Sequence, residues 1–279
     1  MMRSLALIFA LAGFAQDKAA LPAKEQIYKK IEQVELKMSL SFPEDWKAAD
    51  KRPAIVFFFG GGWAQGSPQQ FSRQAEYLAK RGMVAACADY RVKSRHQVAP
   101  DKCVEDAKSA VRWLRKNAAT LGIDPDRIVA AGGSAGGHIA ACTGTVPGFE
   151  AAGEDASVSS RPNAMILFNP VLHVEPIAAR MGDAEIAKKI TPNLHLEKDL
   201  PPALILFGTA DPLREGTKDY LAKAKELGAV AELYSAEGQP HGFFNRSPWM
   251  ERTLFRADEF LASLGYLQGK PTIELPREK

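Results

Sequence analysis

The sequence is short of cysteine, carries no marked excess of either charge, and contains no apolar run long enough to span a bilayer. Three cysteines in 279 residues, Cys87, Cys103 and Cys142, exclude a disulfide-dense scaffold, and no pair has zinc-ligand spacing. A formal charge of +3 is too small to draw in nucleic acid, and no Lys/Arg block alternates with aromatics, so no nucleic-acid partner is expected. Tandem repeats and low-complexity tracts are missing as well, which excludes solenoids and linker-rich architectures. What is present is ordinary for a soluble globular protein: 46% hydrophobic and 25% charged residues, in a length that suits one large α/β domain.

The first residues, "MMRSLALIFALAGFAQDK", combine a basic start at Arg3, an apolar stretch from Leu5 to Phe14 and small residues at Gly13 and Ala15. That pattern predicts a signal peptide over residues 1–15, cut after Ala15, and therefore a secreted or periplasmic protein. The stretch falls short of the ~20 residues a membrane-spanning helix needs, so no stable membrane anchor is expected. In an oxidising compartment one disulfide plus one buried thiol would fit three cysteines. Cys87 lies in a strand-like run and reads as a core thiol. Cys103 and Cys142 lie on separate helical patterns and are candidates to pair, although spacing alone does not decide it.

Two periodicities alternate along the chain. "PAIVFFFGGGW" from Pro53, "MVAACADY" from Met83, "RIVAAGG" from Arg127, "NAMILFNP" from Asn163, "PALILFGTADP" from Pro202 and "AVAELYS" from Ala229 are short apolar runs closed by turn residues. Runs apolar throughout suit parallel strands covered on both faces. Helical patterns separate them over Gln70–Lys80, Pro100–Leu121, Ser134–Gly144, Arg214–Leu227 and Pro248–Leu264. This alternation predicts an α/β fold, a mostly parallel sheet with helices on both faces, in a single domain over residues 16–268. Val34–Pro43 predicts an antiparallel entry strand. Val171–Pro201 is irregular and reads as a lid or substrate-shaping insertion; residues 269–279 read as a tail.

The chemistry concentrates at "GGSAG", Gly132 to Gly136. The motif G-x-S-x-G at a strand–helix junction lifts a serine hydroxyl on a sharp, strained turn, and glycines leave room where neighbouring backbones crowd it. A serine hydroxyl becomes a useful nucleophile only when a base takes its proton and a third group orients that base. In chain order Asp or Glu and then His should follow. Asp211, after "LILFGTA", and His241, in "SAEGQPHGFF", lie at the ends of successive core strands and fill those places. His138, four residues beyond Ser134, reads as packing or capping, and His173 and His195 as insertion residues. "FFFGGGWAQGS" follows the first strong parallel strand. Its Gly61 and Gly62, with the amide of Ala135, are assigned to stabilise an oxyanion on the attacked carbonyl. Lack of a following G-K-[ST], and of G-x-G-x-x-G spacing, makes a nucleotide site improbable. No metal or organic cofactor is required. Trp63 is read as an apolar or sugar-stacking substrate wall, with a packed core aromatic as the equal alternative.

Together with "DYR" (Asp89 to Arg91) and "GIDPDRI" (Gly122 to Ile128), these motifs resemble the α/β-hydrolase superfamily. Within it the chain is similar to the bacterial acetyl esterase/lipase and feruloyl-esterase-like branch, related to the hormone-sensitive lipase group. The resemblance covers roughly Val34 to Leu264. It implies a serine carboxylesterase on short-chain, acetyl-type esters, either small molecules or esters linked to polysaccharide. A feruloyl esterase is the nearest alternative, ahead of a serine peptidase or a non-catalytic binding protein on the same scaffold. The sequence departs from the family at Phe59, where a histidine usually precedes the three glycines, and this puts the support of the glycine loop in question.

Overall fold

A computed structural model describes residues 24–174 and 183–276. The expected signal peptide lies outside the described residues. Eight strands form one sheet in the order β1-β2-β4-β3-β5-β6-β7-β8. These are β1 (Glu25–Ile31), β2 (Val34–Ser41), β3 (Arg52–Phe58), β4 (Val84–Ala88), β5 (Ile123–Gly133), β6 (Ala164–Phe168), β7 (Ala203–Gly208) and β8 (Ala231–Ala236). From β3 onward all pairings are parallel, while β1 and β2 enter antiparallel, with β2 paired to β4. β3, β4, β6 and β7 are buried along nearly their whole length, as strands sandwiched between helix layers must be.

The principal helices are α1 (Ser72–Lys80), α2 (Pro100–Lys116), α3 (Ala135–Thr145), α4 (Ala184–Lys189), α5 (Thr217–Glu226) and α6 (Trp249–Ser263). One hydrophobic cluster lies under α2 and α3, where Val104, Ala107, Ala110, Val111 and Leu114 recur at helical spacing; a second lies under α1 and α6. In the second, Phe57 stacks on Phe71 at 5.0 Å between ring centroids, Phe71 on Phe244 at 5.7 Å, and Phe168 lies against Phe244 at 5.0 Å. These rings sit at the ends of β3 and β6 and in the loops after β3 and β8, and they form a floor beneath the C-terminal edge of the sheet.

The structure adds to the sequence expectations in four places. β1 went unread because its pattern, EQIYKKI, is that of a charged edge strand with few buried positions. All three cysteines are free and buried: the Cys103 sulfur approaches the Arg91 carbonyl at 3.1 Å and that of Cys142 the Ile190 carbonyl at 3.3 Å, so the pairing left open between them is not formed. The described part of 171–201 is partly helical and packed, with Ala187, Ile190 and Thr191 fully buried. The C-terminal stretch is tied down where Thr272 and Ile273 donate their amides to the Tyr77 hydroxyl at 3.0 and 3.3 Å.

Candidate active site

Ser134 stands between the end of β5 and the start of α3 with φ 55° and ψ −119°, a conformation that non-glycine residues rarely adopt. Its amide donates to the Phe168 carbonyl at 2.9 Å and its own carbonyl accepts from the His138 amide at 2.9 Å, so the strained turn is pinned on both sides. The flanking glycines are sterically required. A methyl group on Gly136 would fall onto the Phe58 and Phe59 carbonyls, and one on Gly132 onto the Phe58 carbonyl and the backbone of Gly136.

The structure brings the three sequence-identified side chains together. His241 Nε2 lies 2.8 Å from Ser134 Oγ, and His241 Nδ1 lies 2.7 Å from Asp211 Oδ2. A carboxylate only accepts, so Nδ1 carries the proton and Nε2 is left as the acceptor for the serine hydroxyl. The Asp211 side chain is fully buried and that of His241 is one-third exposed. The second carboxylate oxygen of Asp211 accepts from the Leu213 amide at 2.8 Å, which fixes the carboxylate plane.

On the other side of Ser134, the loop after β3 is folded tightly. Gly61, at φ 131°, accepts the Ala64 and Gln65 amides at 3.1 and 3.2 Å through its carbonyl, and Gly62 follows at φ 63°. The amides of Gly61, Gly62 and Ala135 have no acceptor among the described residues, whereas that of Gly60 donates to Gln70 Oε1 at 2.6 Å. The loop and Ser134 border an open cleft of about 630 Å³, lined also by Gln65, Ser67, Gln70, Asn169, Asn245 and Phe244.

Trp63 is not part of that lining. It is 6% exposed, and its indole N–H donates to His138 Nδ1 at 3.1 Å, so the substrate-wall reading gives way to the packed-aromatic one. Support for the glycine loop, in doubt because of Phe59, comes from Tyr90. The two rings stack at 4.1 Å, and the Tyr90 hydroxyl donates to the Phe59 carbonyl at 2.7 Å. "DYR" therefore contributes through its tyrosine. His173 and His195 stand outside the cleft lining.

Sequence reading missed Asn169. It is fully buried, holds a left-handed φ of 36°, and lines the cleft beside Ser134. Its Oδ1 accepts the Gly242 amide at 3.2 Å, steadying the histidine loop, and its Nδ2 has no partner among the described residues. The available signal was its place directly after β6, at the same edge as Ser134 and Asp211.

Five features of this edge thus coincide: a strained serine, a bonded histidine, a buried carboxylate, a glycine turn with unspent amides, and an open cleft. Known proteins resemble this chain in sequence and in fold. A family model described as BD-FAE matches residues 39–178 and one described as alpha/beta hydrolase fold matches residues 184–245. The chain belongs to the α/β-hydrolase superfamily, among its esterases. Esterase 2 of Thermogutta terrifontis, in its apo form, superposes with a TM-score of 0.85 at 49% identity, over 90% of this chain and 98% of that one. Carboxylesterase NlhH of Mycobacterium tuberculosis is 28% identical over 70% of this chain and 68% of its own length. An isoprenylcysteine alpha-carbonyl methylesterase of Arabidopsis thaliana is 30% identical over 68% of this chain and 50% of its own. The chain spans about half the length of the plant relatives it matches.

In this hydrolase His138 serves structure. Trp63 donates to its Nδ1, and its Nε2 donates to the Ile190 carbonyl at 2.7 Å, an arrangement that only the neutral ring satisfies. Burial pushes its pKa down from the ordinary 6.5 to about 4. As pH falls the unfolded chain takes up this proton before the folded one, so stability is lost between pH 6.5 and 4, by about 3 kcal/mol once the interval is crossed. His138→Gln should therefore show a shallower fall of melting temperature across that window than the wild type. An identical slope would assign the acid sensitivity to other groups.

Proposed function

We propose that this chain is a serine carboxylesterase, exported from the cell, that hydrolyses short-chain, acetyl-type esters through an acyl-enzyme. The observation that carries this reading is the unbroken relay from Asp211 through His241 to Ser134, at 2.7 and 2.8 Å. Ser134 Oγ attacks the ester carbonyl while Nε2 of His241 takes its proton. The buried Asp211 carboxylate stabilises the imidazolium that forms. The charge developing on the carbonyl oxygen meets the unspent amides of Gly61, Gly62 and Ala135, each such donor contributing ~3 kcal/mol to the transition state. His241 then protonates the departing alcohol, and water repeats the sequence on the acyl-enzyme.

Two observations support the choice of substrate. The cleft is open and bounded by glycines, by amide and hydroxyl side chains, by His241 and by Phe244, which suits a small acyl group with its alcohol, such as a sugar, reaching out to solvent. The Thermogutta esterase has structures with propionate bound and with butyrate bound. Export rests on the N-terminal pattern of Arg3, Leu5–Phe14 and Ala15.

Rates on p-nitrophenyl acetate, butyrate and octanoate, with acetylated xylan and methyl ferulate alongside, test the reading. Acetate and butyrate are expected to exceed octanoate in kcat/KM by about tenfold or more, since a cleft this open encloses little of a long chain and returns little for each added methylene. Preferred release of octanoate would overturn the short-acyl assignment, and preferred cleavage of methyl ferulate over acetylated xylan would replace it with a feruloyl esterase.

A further inference from the structure

Two amide side chains connect the glycine loop to the histidine loop across the mouth of the cleft. Gln70 Oε1 accepts the Gly60 amide at 2.6 Å, and Gln70 Nε2 donates to Asn245 Oδ1 at 2.9 Å. Asn245 Nδ2 in turn donates to the Gly242 carbonyl at 2.9 Å, and the Asn245 amide donates to the same carbonyl at 3.1 Å. The direction of the relay is forced from both ends. A backbone N–H can only donate and a backbone carbonyl can only accept, so each carboxamide has one orientation in which all three bonds form. The residues next in sequence, Phe71 and Phe244, stack directly on one another at 5.7 Å. The polar bridge thus lies above an apolar one joining the same two loops.

We propose that Gln70 and Asn245 are positioning residues, a clamp that sets the separation between the oxyanion donors at Gly61 and Gly62 and the base at His241. The inference rests on the esterase reading of this site. Its physical logic is that both loops act on one transition state: the glycine amides on the carbonyl oxygen, the imidazole on the serine proton and then on the leaving alcohol. A drift of one loop against the other spoils these contacts together while leaving ground-state binding in the open cleft little changed. The phenylalanine pair keeps the loops folded, and the clamp fixes the remaining freedom.

The test is a double-mutant cycle on p-nitrophenyl acetate hydrolysis by the full chain. Gln70→Leu and Asn245→Leu should each lower kcat by about tenfold with KM changed less than about twofold, and the double variant should be no worse than either single one, because each substitution already opens the clamp. Asn245→Ala provides the mildest version. It leaves Gln70 Oε1 on the Gly60 amide, adds no charge beside the oxyanion donors and removes only the side-chain bonds of an exposed residue, so it should fall with the leucine variants while its melting temperature stays near the wild-type value. It decides the matter should a leucine variant fold poorly. Single variants within about twofold of wild type, or a double variant about a hundredfold down as for independent sites, would overturn the clamp. A wild-type protein inert on every ester tried would instead overturn the reading of the site on which the clamp depends.

Discussion

Replacing Ser134 by alanine should lower kcat on p-nitrophenyl acetate by about 10⁴- to 10⁶-fold, since removing the nucleophile of a triad leaves only what binding and oxyanion stabilisation provide. The fold should survive. The serine amide and carbonyl bonds to Phe168 and His138 are backbone bonds that alanine keeps, and the hydroxyl has its hydrogen-bond partner only at His241 Nε2 among the described residues. Alanine must still adopt φ 55°, as serine does, so no new backbone strain enters. Turnover of wild type and variant across pH 6–9, the span of a histidine base, makes the measurement, with melting temperature as the control for folding. Wild type and variant equally inert over that range would mean a binding protein built on a hydrolase scaffold.

The fold was legible to the extent that its strands are buried on both faces. Apolar runs such as "AIVFFF" and "ALILF" have no other comfortable place than a covered parallel sheet, and the glycine-flanked serine marks which strand end carries chemistry. β1 was hidden because an edge strand with one wet side is held by the pairing of its backbone with β2 more than by its own side chains. The same limit applied at the site. Ser134, Asp211 and His241 could be named because each closes a strand at one sheet edge, in an order that fixes their convergence. Trp63 could not be placed, because whether an aromatic beside a glycine turn faces cleft or core depends on the partner it meets, here His138, 75 residues away. Gln70 and Asn245 are separated by 175 residues and carry no motif, so their bond emerges only from the folded chain. Asn169 lay in plain view after β6, but a lone asparagine before proline reads first as a turn residue.

Converting Asp211 to asparagine, a change of one atom, should lower kcat by about 10⁴-fold, and the reason lies in which atom must face which. Asp211 accepts from the Leu213 amide through Oδ1 and from His241 Nδ1 through Oδ2. The Leu213 N–H cannot reverse its role, so the asparagine carbonyl oxygen is held there and its NH₂ group is turned toward the imidazole. That group donates, which draws His241 into the tautomer with Nδ1 bare and the proton on Nε2. The proton then faces Ser134 Oγ at the position where the serine must give up its own, and the base is lost although every heavy atom keeps its place. The opposite rotamer restores the histidine tautomer only by setting NH₂ against the Leu213 N–H in a fully buried position, at about 1–3 kcal/mol for the unpaired donors. The variant should therefore melt close to wild type and bind substrate with a similar KM while its kcat collapses. Turnover within about tenfold of wild type would remove Asp211 from the relay and return the orientation of His241 to its loop alone.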